Sequence, residues 1–283
     1  MHGNVKSGLL LLTSFLLLSA CGQKEPEPPP GPPPVLTVDE LQAALKEKNP
    51  GYKGDARFET DGKVMAGVLE GTQIRDISPF IGQPFAILDL RNTPITNIEP
   101  LRGMELIKLY LEDTPVSDIS PLKGMPLREL YLSNTQVSDL SPLQGMPLKM
   151  LNLLGTPVTD ISPLKGSPVE FLWLNETPVS DIWPLAQCTN LFSLTLHKTK
   201  VSNLSPLQGH PTLKRLHIGE TPVNNLAPIL DLKLLRLIFT PANIRDDIEI
   251  DNRLMSISEV GTTFENRMPA MEFWSRYAKG EFK

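Results

Sequence analysis

A threonine recurs at a nearly constant interval through most of the chain, and this repetition restricts the possible folds more than any other feature. The interval is 21 residues five times and then 22 residues twice. The eight threonines are Thr72, Thr93, Thr114, Thr135, Thr156, Thr177, Thr199 and Thr221. A unit of this length cannot bury a core of its own, so successive units must stack on one another. The chain is therefore predicted to form a solenoid.

The unit over residues 106–125 shows what each coil contributes. Leu106, Leu109 and Leu111 have the spacing L-x-x-L-x-L, and three more apolar residues follow the threonine. Alternation of this kind predicts a short strand whose leucines face the core. The threonine comes next in the pattern, and its buried hydroxyl can serve nearby backbone as donor and acceptor. We expect the threonines to form an interior ladder that satisfies backbone groups between coils.

This pattern resembles the leucine-rich repeat L-x-x-L-x-L-x-x-N/C-x-L, with threonine where asparagine or cysteine is usual. The short period and the Pro-Leu-x-Gly ending are most similar to the internalin-type repeats of bacteria. The resemblance covers residues 64–245. It implies an α/β leucine-rich repeat solenoid, with a parallel β-sheet on the concave face and short 3₁₀ turns and loops on the convex face.

The return segment of each coil has its own recurring residues. Aspartate or asparagine stands four residues after every repeat threonine, and proline three residues later, as in Asp118 and Pro121. Ser120 before that proline predicts an N-cap followed by a favoured first helical residue, and Gly124 closes the turn. Stacked carboxylates could collect cations. Because asparagine shares the column, we favour hydrogen bonds to nearby backbone that make turns.

A solenoid needs caps at both ends. In the predicted N-terminal cap, residues 35–63, Thr37 and Glu40 form a capping box that opens a helix. A hairpin follows at Asp61-Gly62, and its second strand takes the place of the first repeat strand.

Residues 246–283 form the predicted C-terminal cap. Its apolar residues are Met255, Ile257, Val260, Phe264, Phe273, Trp274 and Tyr277. Residues 268–274 resemble tails that follow such repeats in some bacterial proteins, including repeat regions attached to Ser/Thr kinases. No Gly-rich loop, catalytic-loop or Asp-Phe-Gly motif is present in the sequence, so this resemblance does not imply kinase chemistry.

The N-terminus has the layout of an export signal over residues 1–20, with Lys6 before an apolar run at 9–18. That run is shorter than the roughly 20 apolar residues that span a bilayer. The ending Leu-Ser-Ala-Cys resembles the lipobox of bacterial lipoproteins, which implies that Cys21 is acylated and becomes the mature first residue. The alternative is an ordinary secretory peptide. We favour the lipoprotein, because a disulfide to the only other cysteine, Cys188, has no obvious geometry.

The segment 21–34 links this anchor to the cap. It contains seven prolines over residues 26–34, and polyproline II extends about 3.1 Å per residue, which gives a semi-rigid spacer on the order of 30 Å long. A ligand for a proline-binding module is the alternative role. Gly22 after the cysteine follows the family's sorting pattern for the outer membrane. We therefore expect a membrane-anchored lipoprotein of the bacterial cell envelope.

The sequence contains little that indicates chemistry. The net charge is −5 and the repeats have no basic stripe, so a nucleic-acid partner is not expected. No H-E-x-x-H, G-x-S-x-G, C-x-x-C or phosphate-loop motif occurs, and we predict no catalytic residues, cofactor or metal. His197 and His217 lie on adjacent strands, and we favour solvated side chains over a metal pair. Cys188 fills a return-loop position and is predicted to be structural.

The predicted binding surface centres on Phe171 and Trp173. Leu172 and Leu174 occupy the leucine columns, so their neighbours must project from the concave face. Strands about 4.8 Å apart bring equivalent residues of successive coils together. The predicted patch consists of Tyr110, Tyr131, Met150, Leu154, Phe171 and Trp173. Its predicted polar flanks are Lys108 and Glu129 on one side and His197 and Arg215 on the other.

Two interpretations of this patch remain open. An apolar patch with a polar rim is typical of an interaction site. The same rings could instead only stabilise the sheet as cross-strand neighbours. The leading functional prediction is a monomeric, non-enzymatic binding module with a protein partner. A structural spacer or envelope scaffold is the alternative, and an enzyme with an unfamiliar site is the third.

Overall fold

The computed structural model describes residues 33–244, 254 and 257–282. The predicted signal peptide, Cys21, most of the proline-rich segment and Met255 lie outside these residues. Within the described part of the chain, no helix is long and apolar enough to cross a bilayer.

Twelve strands form one sheet whose spatial order follows the chain. They are β1 (Arg57–Thr60), β2 (Met65–Val68), β3 (Phe85–Asp89), β4 (Lys108–Tyr110), β5 (Glu129–Tyr131), β6 (Met150–Asn152), β7 (Phe171–Trp173), β8 (Ser193–Thr195), β9 (Arg215–Ile218), β10 (Arg236–Phe239), β11 (Glu259–Gly261) and β12 (Arg267–Pro269). Strands β2 to β11 run parallel, and β1 and β12 are antiparallel to their neighbours. The predicted leucine-rich repeat solenoid is confirmed.

The register aligns equivalent residues of successive coils. Leu109, Leu130 and Leu151 are direct neighbours on adjacent strands. All three are fully buried. A fully buried leucine contributes roughly 1.5–3 kcal/mol relative to an exposed one, so each column stabilises the stack along its whole length. Leu172 and Leu174 lie in this core as predicted.

Short 3₁₀ turns form the return side of the coils, as predicted. Their bounds are Ser78–Phe80, Glu99–Leu101, Ser120–Leu122, Ser141–Leu143, Ser162–Leu164, Trp183–Gln187, Ser205–Leu207, Ala227–Ile229 and Pro241–Asn243.

The cap of these turns differs from the predicted serine N-cap. In the turn Ser120–Leu122 the N-cap residue is Ile119, and Ser120 is already helical. Asp118 Oδ1 accepts the free N–H of Ser120 at 2.7 Å, and its Oδ2 accepts the serine hydroxyl at 3.0 Å. The aspartate takes this role because Asp and Asn side chains readily accept backbone N–H groups two residues ahead in turns. The predicted turn-making function of the Asp and Asn column is confirmed.

The residue before the repeat threonine turns each coil away from its strand. This position has a positive φ in Gly71, Asn92, Asp113, Asn134, Gly155, Glu176, Lys198 and Glu220. Glycine and asparagine adopt this left-handed conformation readily, whereas Glu176, Lys198 and Glu220 do so at a steric cost. Tertiary stacking therefore imposes the conformation on residues that do not favour it.

The N-terminal cap begins with helix α1 (Val38–Lys48). The predicted capping box is present: Glu40 N–H donates to Thr37 Oγ1 at 3.3 Å, and Thr37 N–H donates to Glu40 Oε2 at 2.8 Å. Buried Asn49 then joins this cap to the first coil, because its Oδ1 accepts the N–H groups of Arg75 and Asp76.

The hairpin between β1 and β2 follows the helix. Its turn spans residues 61–64 and is longer than the two-residue Asp-Gly turn that the sequence indicated. Asp61 Oδ1 accepts the N–H groups of Lys63 and Val64 at 2.8 and 2.9 Å, which stabilises the wider turn. Strand β2 then pairs in parallel with β3, so it occupies the first repeat position as predicted.

The C-terminal cap consists of β11, β12 and helix α2 (Ala270–Ala278). Phe273 and Trp274 are buried, and their ring centroids lie 5.7 and 5.9 Å from that of Phe239 in β10. They cover the end of the repeat core as predicted. Phe264 differs: it lies between β11 and β12, is 40% exposed, and packs against His217 on the concave face.

Candidate functional site

Two tyrosines begin a row of rings on the concave face. Tyr110 of β4 and Tyr131 of β5 are direct cross-strand neighbours. Their rings stack with centroids 4.8 Å apart and planes 10° apart. This separation equals the usual strand spacing of about 4.8 Å, so the parallel register itself produces the stack.

The row continues across β6 to β7. Asn152 stands between Tyr131 and Trp173 in the register, and because it is small, the two rings approach to 6.5 Å above it. Phe171 lies 6.1 Å from Trp173 in a nearly parallel orientation, and the Tyr131 hydroxyl is 3.6 Å from the sulfur of Met150. The concave aromatic surface is the name used below for five half-buried side chains: Tyr110, Tyr131, Met150, Phe171 and Trp173.

The sixth predicted member, Leu154, is half-buried two residues beyond the end of β6. Its backbone carbonyl accepts a hydrogen bond from Asn134 at 2.8 Å. Its participation in the surface stays a prediction.

Phe192 and two arginines extend this surface, and the sequence pattern did not indicate Phe192. Phe192 precedes β8, outside the alternating positions, yet its ring lies 5.8 Å from that of Phe171. The guanidinium of Arg215 lies 5.3 Å from the centre of the Phe192 ring, and that of Arg91 lies 5.5 Å from the centre of the Tyr110 ring. A cation over an aromatic face is worth about 0.5–1 kcal/mol at an exposed site. Arginine therefore borders the row at both ends.

A salt bridge lies beside the tyrosine stack. Lys108 Nζ and Glu129 Oε1 are 2.8 Å apart across β4 and β5. Burial, with the neighbouring Glu129 carboxylate, raises the pKa of Tyr131 to about 12. The Tyr131 hydroxyl therefore keeps its proton at neutral pH, and it donates to the sulfur of Met150.

A hollow of about 250 Å³ adjoins the concave aromatic surface. It exists because β8 carries the short side chains Ser193 and Thr195 at the positions where β7 carries Phe171 and Trp173. Phe264 from the C-terminal cap, packed against His217, also lines it. Repeats and cap together thus form one recess that neither forms alone.

His217 lies at this recess, and the prediction that it is solvated is wrong. The residue is only 5% exposed, because the Phe264 ring meets it edge-on with centroids 4.8 Å apart. Burial, with nearby His197, lowers the pKa of His217 to about 4. Its imidazole is therefore neutral at physiological pH.

The two histidines do not converge on a common point. Their rings are stacked, with centroids 4.9 Å apart and planes 23° apart. His197 Nδ1 lies 3.1 Å from the carbonyl of Gly219, and its Nε2 lies 3.6 Å from Glu220 Oε1. Among the residues that the structure describes, no group of three or more His, Cys, Asp or Glu side chains could hold a metal.

Cys188 has the buried, structural position that its place in the return loop predicts. Its Sγ lies 3.1 Å from the carbonyl of Leu164 in the preceding coil, and burial raises the pKa of the thiol. The thiol is thus poorly suited to nucleophilic chemistry.

No protein-family model and no curated protein sequence matches this chain. Solved structures do match it. An internalin from Listeria monocytogenes, InlF, is 26% identical with a TM-score of 0.60, and the match covers 78% of this chain and 63% of the internalin. Internalin C2 from the same organism is 26% identical with a TM-score of 0.59, over 71% of this chain and 92% of that chain.

A leucine-rich repeat protein from Leptospira interrogans is similar in fold. It is 19% identical with a TM-score of 0.55, over 68% of this chain and 59% of that protein. The chain thus spans less than two thirds of the length of InlF and of the Leptospira protein. The stacked coils, their parallel register and these likenesses together show that the chain has the leucine-rich repeat fold.

Proposed function

We propose that this protein is a non-enzymatic binding module that recognises a protein partner through its concave aromatic surface. The observation that carries the proposal is the continuous row of half-exposed rings from Tyr110 to Phe171 on the face opposite the core. Solenoids of this type offer extended concave surfaces to their partners. An apolar patch on such a surface is typical of an interaction site.

The composition of the surface supports a protein ligand. Tyrosine, tryptophan, phenylalanine, methionine and arginine are enriched in protein interfaces, and the first two, with arginine, dominate their binding energy. All five residue types occur here, with Arg91 and Arg215 at the ends of the row. The salt bridge between Lys108 and Glu129 supplies a polar border.

The proposal includes attachment to the cell envelope. Residues 1–20 would direct export, and acylated Cys21 would anchor the protein, since several acyl chains on one residue give stable membrane binding. Residues 21–34 would hold the solenoid away from the bilayer. Gly22 favours the outer membrane as the destination, and the protein would act there as a monomer.

A structural role for the same rings is the competing proposal. Stacked neighbours such as Tyr110 and Tyr131 stabilise a sheet by roughly 0.2–1 kcal/mol for each cross-strand pair. A scaffold without a ligand would need nothing more. Stability and partner binding must therefore be measured on the same variants.

The decisive variant is Phe171→Ser combined with Trp173→Ser in the full chain. Partners are captured from the native envelope by cross-linking and identified, and affinity is then measured with the purified partner. We expect the double variant to fold with near-normal thermal stability and to lose affinity by tenfold or more, on the order of 1.4 kcal/mol.

Trp183→Ser is the matched control, because Trp183 is 57% exposed on a 3₁₀ turn away from the concave sheet face. This control should bind normally. Unchanged partner affinity together with reduced stability in the double variant would leave only the packing role.

A further inference from the structure

The recess beside the concave aromatic surface has an unusual floor. Thr195 Oγ1 and both ring nitrogens of His217 are buried and have no hydrogen-bond partner among the described residues. Both side chains line the recess, and each residue is only 5% exposed. A buried polar group without a partner costs about 1–3 kcal/mol. Because these atoms have almost no exposed surface, a guest that hydrogen-bonds to this floor must shift the side chains around it, and it would recover part of that cost.

The walls of the recess are flat and apolar. Phe171 and Trp173 of β7 line one side, and Phe264, packed edge-on against His217 of β9, lines the other. Strand β8 with its short side chains lies between β7 and β9, and two strand spacings of about 4.8 Å separate these strands by roughly 9.6 Å. A flat ring needs about 3.5 Å on each side to its neighbours. One ring therefore has room above β8, between the side chains of β7 and the side chains of β9.

The charges around the recess restrict the guest further. The floor itself is uncharged, since Thr195 carries a hydroxyl and His217 is neutral at physiological pH. At the mouth, Arg236 is already paired with Glu259 at 2.7 Å. A charged group at this floor would lose its hydration without an ionic partner there. A purely apolar ring would leave the floor unsatisfied.

We propose that this recess binds the side chain of a single tyrosine from the partner protein. The phenol ring lies between the aromatic walls, and its hydroxyl exchanges hydrogen bonds with Thr195 and His217 at the floor. Exposed Arg215 borders the ring at the mouth. The tyrosine side chain meets each requirement at once, since it is flat, largely apolar and ends in one uncharged polar group.

This inference deepens the proposed function and rests on it for the identity of the guest's source. The recess can nevertheless be tested without the partner. The probe is N-acetyl-L-tyrosinamide, compared with N-acetyl-L-phenylalaninamide, which differs by one hydroxyl. The full chain is labelled with 5-fluorotryptophan, and the ¹⁹F signal of Trp173 is assigned with Trp173→Phe.

We expect the tyrosine amide to shift the Trp173 signal saturably, with a dissociation constant on the order of millimolar for so small a ligand. The phenylalanine amide should bind at least about tenfold more weakly, because the polar floor then stays unpaired. The signals of exposed Trp183 and buried Trp274 should not move. Thr195→Val should remove the preference for tyrosine at unchanged thermal stability, and Thr195→Ser should retain it.

Three results would overturn the inference. These are equal affinity for the two amides, no saturation at any soluble concentration, or tighter binding of the phosphotyrosine amide. If the tyrosine site fails while Phe171→Ser with Trp173→Ser still loses the purified partner, the proposed function stands without this recess. If the tyrosine amide binds but Phe171→Ser with Trp173→Ser keeps its affinity for the purified partner, the surface proposal fails alone.

Discussion

The hydroxyl of Thr135 donates a 2.7 Å hydrogen bond to the backbone carbonyl of Leu132, three residues earlier in the same coil. That carbonyl also accepts the amide of Thr135 at 3.2 Å. The same side-chain bond occurs in Thr93, Thr114, Thr156, Thr177, Thr199 and Thr221. The expectation that the threonines bridge neighbouring coils is therefore wrong, because each one closes the bend of its own coil.

Replacing Thr135 by valine should lower the free energy of unfolding by about 1 kcal/mol. The variant keeps the shape of the side chain but removes one bond to the Leu132 carbonyl, which retains its bond to the amide. Chemical denaturation measures the change. Thr72→Val is the control, because Thr72 Oγ1 is buried without a partner among the described residues and its loss should be neutral or stabilising. Equal losses in both variants would contradict this account.

Replacing Glu176 by glycine should stabilise the protein by roughly 0.5–1 kcal/mol. Glu176 has a φ of 59°, and a side chain in this region costs roughly 1–2 kcal/mol, partly offset by the greater backbone entropy of glycine in the unfolded chain. Calorimetry should show a melting temperature a few degrees higher.

The control for Glu176→Gly is Lys165→Gly, where φ is −55°. There glycine relieves no strain, so only its entropy cost remains and stability should fall. A gain in both variants would mean that the left-handed backbone is not the cause.

Stability should fall as the pH drops from about 6.5 to 4, in part because of His217. Its pKa is about 4 in the folded protein against an ordinary value of 6.5, so the unfolded state binds more protons in this interval. The stabilisation is complete above pH 6.5 and is lost towards pH 4. Its size is on the order of 3 kcal/mol, since a tenfold difference in proton affinity corresponds to about 1.4 kcal/mol.

The variant His217→Gln should reduce this pH dependence. Burial also lowers the pKa of His210, so a weaker slope with the same sign should persist in that variant. Denaturation at a series of pH values measures both slopes. Identical slopes in the wild type and the variant would show that His217 is not protonated on unfolding in this range.

Cys21 should be the only acylated residue. Metabolic labelling with a fatty-acid analogue should mark the wild type and leave Cys21→Ser unlabelled. Cys188→Ser is the control and should be labelled normally, because Cys188 is fully buried in the solenoid. Label on Cys21→Ser would end the lipoprotein interpretation.

Much of this architecture follows from residue spacing, because local physics repeats with the sequence. A 21-residue period places Tyr110 opposite Tyr131, and the 22-residue period of the later coils places Phe171 opposite Ser193. Period-two alternation assigns Leu172 to the core and Trp173 to the opposite face. The residue at each position of the concave face could therefore be predicted from the sequence.

Other features depend on contacts that no repeat pattern contains. Phe264 comes from a cap with no counterpart among the coils, so its position over His217 depends on how that cap docks. The burial of His217 follows from this contact, although its column position was predictable. Phe192 reaches Phe171 from outside the alternating strand positions, because side-chain direction at a strand end depends on its neighbours.

The recess depends both on residue spacing and on tertiary contacts. Its gap follows from sequence, since Ser193 and Thr195 interrupt columns of larger side chains at a known register. Its closure by Phe264 and the isolation of the Thr195 hydroxyl are long-range results of packing, since they bring together residues about 70 positions apart. Periodic sequence specifies a repeating scaffold, whereas the aperiodic cap adds Phe264 to one interval of that scaffold and deepens it into a recess.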